Sequence, residues 1–289
     1  MGEHLERRSE RNRAVPPLTQ IFIGLRYLAT GDFYSEVGDL HGVSKSTVSR
    51  VLGSFLDVLN EQLDNIKFPM SPEERQAIKL EFYQKSRIPG VIGAIDGTLV
   101  PIIGPHENEE VFRSRKGFHA LNVQAVVDTK TIFRDVVSRW PGSVHDSAIF
   151  NNCGLKQYLE TQQVGCLLGD SGYGLKTFLL TPKLNPITQQ EVRYNAAHRR
   201  GRVVVERAFG MLKSRFRCLH KSGGCLPFQP QRAAKVVVAC MRLHNLCVQF
   251  NVAVPQMNDT ENDEIDDNIV GDGIDVNAQQ ARQLIIDRF

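Results

Sequence analysis

Val91-Ile92-Gly93-Ala94-Ile95-Asp96-Gly97-Thr98 is a short apolar run that ends on a carboxylate. Its length and its Asp-Gly boundary read as a buried strand over Val91–Ile95 with Asp96 at the strand end. The arrangement recurs in Cys166-Leu167-Leu168-Gly169-Asp170-Ser171-Gly172-Tyr173, where Leu167–Gly169 reads as a second short strand delivering Asp170. A buried carboxylate with no partner is costly, so each acid needs a reason. The simplest is a turn: Asp96 capping through Thr98, Asp170 through Ser171-Gly172.

Working outward, Leu121–Val127 and Ile132–Val137 read as strands flanking a hairpin turn, Asp128-Thr129-Lys130-Thr131. Ser147–Leu155 reads as helical, and Asn195–Arg217 and Gln231–Phe250 as long helices. This order predicts an α/β fold, a mixed sheet flanked by helices. On the segment Arg202–Arg217, Val205, Phe209, Leu212 and Phe216 recur at helical spacing as one apolar stripe. Glu206 borders that stripe. A solvated charged face shared with Lys213 is its plain reading.

Upstream, helices are expected over Leu18–Ala29, over Phe33–Leu40 and from Ser46-Thr47 onward, then over Glu73–Tyr83 beyond a linker marked by Pro69 and Pro72. Asp39 to Leu52 has the form of a helix-turn-helix, with Gly42 in the turn. Its second helix would offer Lys45, Ser46, Thr47 and Arg50 to DNA; the rival is an ordinary helical hairpin with a solvated face. The expected divisions are a basic flexible N-terminus (1–15), a helix-turn-helix region (16–70), an α/β core (71–250) and an acidic, mostly disordered tail (251–289) in which Ala278–Phe289 could form a helix.

Charge sorts along the chain. The whole carries +3, but residues 256–289 hold nine acids against two bases, leaving +10 on residues 1–255. A basic body beside an acidic tail suggests a polyanion partner. No apolar run approaches the ~18 residues of a membrane span. The six cysteines form no dense framework, which fits reduced thiols. Cys218, Cys225, Cys240, His244 and Cys247 lack paired zinc-ligand spacing.

Two strand carboxylates and one helix carboxylate, Asp96, Asp170 and Glu206, can line an all-oxygen pocket for hard divalent cations. A pair of such ions suits phosphoryl displacement. Asp146, in Pro141-Gly142-Ser143-Val144-His145-Asp146-Ser147, is a further candidate ligand or a helix N-terminal carboxylate. His145 could orient a water or a phosphate. Lys116, Arg199, Arg200, Arg202 and Lys213 lie in the basic segments around these acids and are candidates for phosphate contacts.

Six segments together carry a resemblance: Gly93–Thr98, Arg115–Asn122, Trp140–Ser147, Leu168–Tyr173, Val205–Gly210 and Leu243-His244-Asn245. They resemble the PIF/Harbinger transposases and their domesticated, transposase-derived nuclease branch, from about residue 18 to 250. The resemblance implies an RNase H-like core with an Asp-Asp-Glu site on Asp96, Asp170 and Glu206, using Mg2+ or Mn2+ to cut double-stranded DNA. The 35 residues between Asp170 and Glu206 match the family pattern. It also implies a Myb-like DNA-binding partner and a nuclear and cytoplasmic distribution; self-association as a homo-oligomer is left open by the sequence itself. Two rivals remain on the same residues: a DNA-binding regulator on an inactive core, and an active transposase.

Overall fold

The strand that carries Asp96 is longer than its apolar run predicts. In the computed structural model, which describes residues 2–6, 14–255 and 275–289, β1 (Val91–Pro101) continues through Asp96, Gly97 and Thr98. The cause is its neighbour. β2 (Ala120–Val127) pairs antiparallel with it in unbroken register from Ala94↔Val127 to Pro101↔Ala120. Ladder pairing overrides the turn preference of Asp-Gly-Thr. Asp96 therefore stands mid-strand opposite Ala125 and not at a strand end, which also removes its turn-capping reading.

β3 (Phe133–Pro141) completes the predicted hairpin. Asp128 Oδ1 shapes its turn by accepting from the Lys130 and Ile132 amides at 2.8 and 3.1 Å. On the other side of β1, β4 (Cys166–Leu168) and then β5 (Leu179–Leu180) add in parallel. The order is β3-β2-β1-β4-β5, the mixed sheet expected. At two residues, β5 is too short for any periodicity to announce it.

Ahead of the sheet run α1 (Gly2–Leu5), α2 (Pro17–Thr30), α3 (Tyr34–His41), α4 (Lys45–Gln62) and α5 (Pro72–Ser86); α6 (Glu109–Phe112) follows β1. Three residues join α3 to α4. Ser44, two residues ahead of Ser46, caps α4 by accepting from the Thr47 amide at 3.3 Å. The single helix expected over Ser147–Leu155 is two, α7 (Asp146–Asn151) and α8 (Gly154–Gln162). Asn152 and Cys153, both weak helix formers, separate the two. α9 (Gln189–Arg215) begins at Gln189 instead of Asn195. A capping box fixes that start: Thr188 accepts from the Glu191 amide, and Glu191 reaches back to the Thr188 amide. α10 (Pro230–Gln249) and α11 (Val276–Ile286) follow.

Alternation along β2 decides what meets each face of the sheet. Leu121, Val123, Ala125 and Val127 join a core with Leu52, Phe55, Leu56 and Leu59 of α4, the predicted Val205, Phe209, Leu212 and Phe216 stripe, and Val236, Val237 and Cys240 of α10. Ile92, Ile95 and Val126 pack on the opposite side against Phe150, Leu155 and Leu159. Full burial of each such side chain contributes roughly 1.5–3 kcal/mol, so the sheet is a stiff platform for whatever β1 and β4 present. His244 joins this architecture through a 2.9 Å contact between Nε2 and the Thr131 carbonyl, and Cys225 is exposed, so these two point to different surroundings.

Part of the acidic tail is ordered. α11 docks on α9, where the Phe289 ring meets Tyr194 at 6.2 Å and Arg193 donates to the Phe289 carbonyl at 3.0 Å. The expectations of flexible termini over residues 7–13 and 256–274 lie outside the described residues. Among the described residues no helix is long and apolar enough to cross a membrane.

Candidate active site

Consecutive residues of β1 face opposite ways. Asp96, in register with Ala125, faces the α9 side, where the Arg202 guanidinium reaches its Oδ2 at 2.8 Å. The same Arg202 nitrogen lies 3.7 Å from Glu206 Oε1, one helical turn along α9. One nitrogen bonded to Asp96 and within ion-pair range of the more exposed Glu206 brings a strand carboxylate and a helix carboxylate into one constellation. Gly201 sets the approach of α9: a Cβ there would fall 2.3 Å from Leu168 Cδ1 on β4.

Asp170 follows β4 and turns the chain, its Oδ1 accepting from the Gly172 amide at 3.1 Å. It lines two cavities. One, of about 390 Å3, is shared with Ser171, Asn195, Arg199, Arg202 and Glu206. The other, of about 440 Å3, is shared with Gly97, Asn122, Asp146, Arg113 and Arg115. Asp170 is thus the hinge of the site, reachable from both sides of the sheet end.

Asp146 opens α7 and lies against the backbone of β1. A Cβ on Gly97 would meet its Oδ1 at 2.3 Å, so only glycine leaves room for this carboxylate. Asn122 donates to Asp146 Oδ1 at 2.7 Å and to the Val144 carbonyl at 2.8 Å, fixing both the acid and the turn before it. Tyr173, buried alongside, donates its hydroxyl to Gln124 Oε1 at 3.3 Å. Burial and then the three neighbouring aspartates push its phenol well above its ordinary range, so it stays neutral. Asn122 and Gln124 were unassigned from sequence; two amides at alternate positions of an otherwise apolar strand were the available signal.

The charge balance explains the Arg202 contact. Burial pushes the Asp96 carboxyl up to about 7; Arg202 opposes this, and Asp170 and Asp146 reinforce it. Burial also raises Asp146, against the pull of its Asn122 hydrogen bond, with Asp170 adding to the rise. For Arg202 burial works downward, but Asp96, Asp170 and Glu206 outweigh it and hold the guanidinium more firmly charged. Arg202 is the partly buried cation shared by Asp96, Asp170 and Glu206, while Arg115 lowers Asp146 from the other side.

That donor set suits a divalent metal: hard carboxylate oxygens on rigid elements, with a cradle at Gly97 that a Cβ would fill. Among the described residues, no three His, Cys, Asp or Glu side chains already converge tightly enough to hold one ion. Asp96 Oδ2 and Glu206 Oε1 are engaged by Arg202. The oxygens fit the group in kind, and Arg202 stands between two of them.

The predicted phosphate contacts divide. Arg199 lines the cavity beside Glu206, and Arg200 next to it is exposed. Lys116 is exposed and Lys213 half-buried, and neither lines a cavity described above. Lys45, Ser46 and Arg50 are exposed on the first turns of α4 and Thr47 is half-buried, with the Ser46 and Thr47 hydroxyls 2.9 and 3.0 Å from Ser44 Oγ. Arg202 is the exception: it was expected to face a phosphate and is spent on Asp96. Arg215 is likewise turned inward, donating to the Val252 and Ala253 carbonyls.

A model of the DDE superfamily endonucleases matches residues 95–245, from the residue before Asp96 to the end of the Leu243-His244-Asn245 segment. The chain belongs to this family. Its relatives place it in the Harbinger-derived branch. It is 34% identical to "Putative nuclease HARBI1" of Homo sapiens over 99% of this chain and 84% of that one, and 35% identical to the Bos taurus protein of that name over the same shares. "Protein ALP1-like" of Arabidopsis thaliana is 27% identical, covering 93% of this chain and 67% of its own length. No solved structure matches. For a DDE endonuclease, the sheet order and the meeting of β1, the end of β4 and α9 are the relevant architecture.

Proposed function

We propose that this chain is a metal-dependent DNA endonuclease of the Harbinger-derived DDE type, with Asp96, Asp170 and Glu206 as its metal ligands. The observation that carries this is the approach of Asp96 and Glu206 to one guanidinium, with Asp170 beside it in the same cavity. Two Mg2+ or Mn2+ ions, when bound, would supply an activated water and charge neutralisation at the phosphate. The protein's part is geometric. β1 holds Asp96 in its ladder with β2, the turn after β4 aims Asp170, and α9 brings Glu206 across. Asp146, held by Asn122 against Gly97, adds negative charge on the far side and could complete the ligand set there. Arg199 and Arg200, with Lys116 and Lys213 further out, would bind phosphates, and Lys45, Ser46, Thr47 and Arg50 would dock duplex DNA as the second helix of a helix-turn-helix.

A second reading has one observation in its favour. The Arg202–Asp96 pair could equally neutralise a core that only binds DNA, making the chain a regulator. Plasmid nicking in Mg2+ or Mn2+ separates the two. The intact chain should nick, and Asp96→Asn and Glu206→Gln should abolish nicking while leaving DNA affinity in place. An intact chain that binds DNA and never cuts it favours the regulator; nicking that survives in Glu206→Gln rejects this ligand set. Strand transfer with candidate DNA ends would identify a transposase. A Myb-like partner and a nuclear and cytoplasmic distribution rest on family resemblance alone, and pull-down and imaging test them; light scattering tests for a homo-oligomer.

A further inference from the structure

We propose that Arg202 is a built-in cation that competes with the metal, holding Asp96 and Glu206 together until divalent ions displace it. This rests on the metal site proposed above. Three features carry it. The guanidinium binds Asp96 Oδ2 at 2.8 Å and stands in ion-pair range, 3.7 Å, of Oε1 of the 43% exposed Glu206, the oxygens an ion would need. Its side chain is 11% exposed, so it is inserted among the acids and does not trail over the surface. Its Nε is buried and, among the described residues, has no hydrogen-bond partner, so the contact with Asp96 is made from the guanidinium tip.

A guanidinium and a divalent ion cannot both sit close against Asp96 Oδ2 and Glu206 Oε1 without strong repulsion, because like charges at contact distance in a partly buried site are weakly screened. Entry of the ion must expel the arginine. Arg202 already lines a cavity with Arg199, and within it the freed side chain would face an incoming phosphate. The exchange offers a physical reason for this arginine beside the acids: the carboxylates are kept gathered, without their mutual repulsion, and a phosphate ligand is released on loading.

The test reads binding and accessibility. Arginine modification by phenylglyoxal, followed by mass spectrometry of the peptide containing residue 202, is measured on the intact chain across a Mn2+ titration. Modification of Arg202 should rise along the Mn2+ binding isotherm. Arg202→Met should bind Mn2+ roughly tenfold more tightly by calorimetry, the scale of losing one charge-assisted competitor. Asp96→Asn serves as the control and should lose both effects. Modification that stays flat while the intact chain binds Mn2+ through Asp96 overturns the competition and leaves the metal site standing, as does affinity that is unchanged or weaker in Arg202→Met. No Asp96-dependent Mn2+ binding in either protein overturns both. Should Arg202→Met not fold, the modification of the intact chain decides.

Discussion

Single residues at this site act through the space they leave as much as through their charge. Gly97 is the clearest case, because Asp146 occupies the volume where its side chain would be. Gly97→Ala should force Asp146 off Asn122 or bow β1, costing about 1–3 kcal/mol as overpacking does. It should also cut nicking by well over tenfold, because the strand that holds Asp96 moves with it. Urea denaturation and the plasmid assay measure the two effects; an alanine variant of unchanged stability and activity would show that Asp146 is free to yield. Asp96 and Asp170 drew attention because apolar runs ending in Asp are conspicuous, although Asp96 lies mid-strand. Arg202 did not stand out. In His198-Arg199-Arg200-Gly201-Arg202 the three arginines look alike, and only the rotational phase of α9 against β1 sends Arg202 inward, as it does His198, while Arg199 and Arg200 stay out.

At the scale of elements, what could be read depended on whether the signal was local. The α9 stripe and the β2–β3 hairpin are periodic in sequence and formed as expected. The extension of β1 past Asp96 depends on β2, and β5 depends on β4, so neither is written in its own residues. The start of α9 was written, in Thr188 and Glu191, but those residues sit in a polar stretch without the apolar rhythm that draws attention. Thr188→Ala should cost about 1 kcal/mol and leave nicking nearly intact, since Arg202 and Glu206 lie several turns further on; differential scanning calorimetry beside the plasmid assay checks it. The α4 proposal makes a different prediction. Lys45→Ala with Arg50→Ala should weaken DNA binding and lower the slope of log affinity against log salt by about 0.9 for each phosphate no longer neutralised, with the catalytic acids untouched. A slope equal to that of the parent would return α3 and α4 to an ordinary helical hairpin.

Across the whole molecule, buried titrations of opposite sign are set against one another. His198 on α9 and His244 on α10 are each lowered to about 4, chiefly by burial, from an ordinary 6.5. The folded state therefore holds fewer protons than the unfolded chain between those values. The stability each contributes is complete above pH 6.5 and is lost as pH falls toward 4. Asp96 runs the other way: burial raises it from 3.8 to about 7, so the folded state holds the extra proton and stability declines as pH rises through that window. Asp135, raised by burial to about 6, adds to the same side. At about 1.4 kcal/mol per unit, the two pairs come to similar totals, and between pH 4 and 6.5 they largely cancel. Stability in that range should then be shallow in pH, with the balance exposed only when one side is removed. Asp96→Asn should steepen the loss of stability on acidification, and His244→Gln should reverse it toward a gain, each by on the order of 3 kcal/mol across the window. Urea midpoints at half-unit steps of pH measure these slopes independently of each variant's absolute stability. Parallel curves for the parent and both variants would mean that neither group changes its proton affinity on folding, and the charge balance drawn for the site around Asp96 would have to be rebuilt.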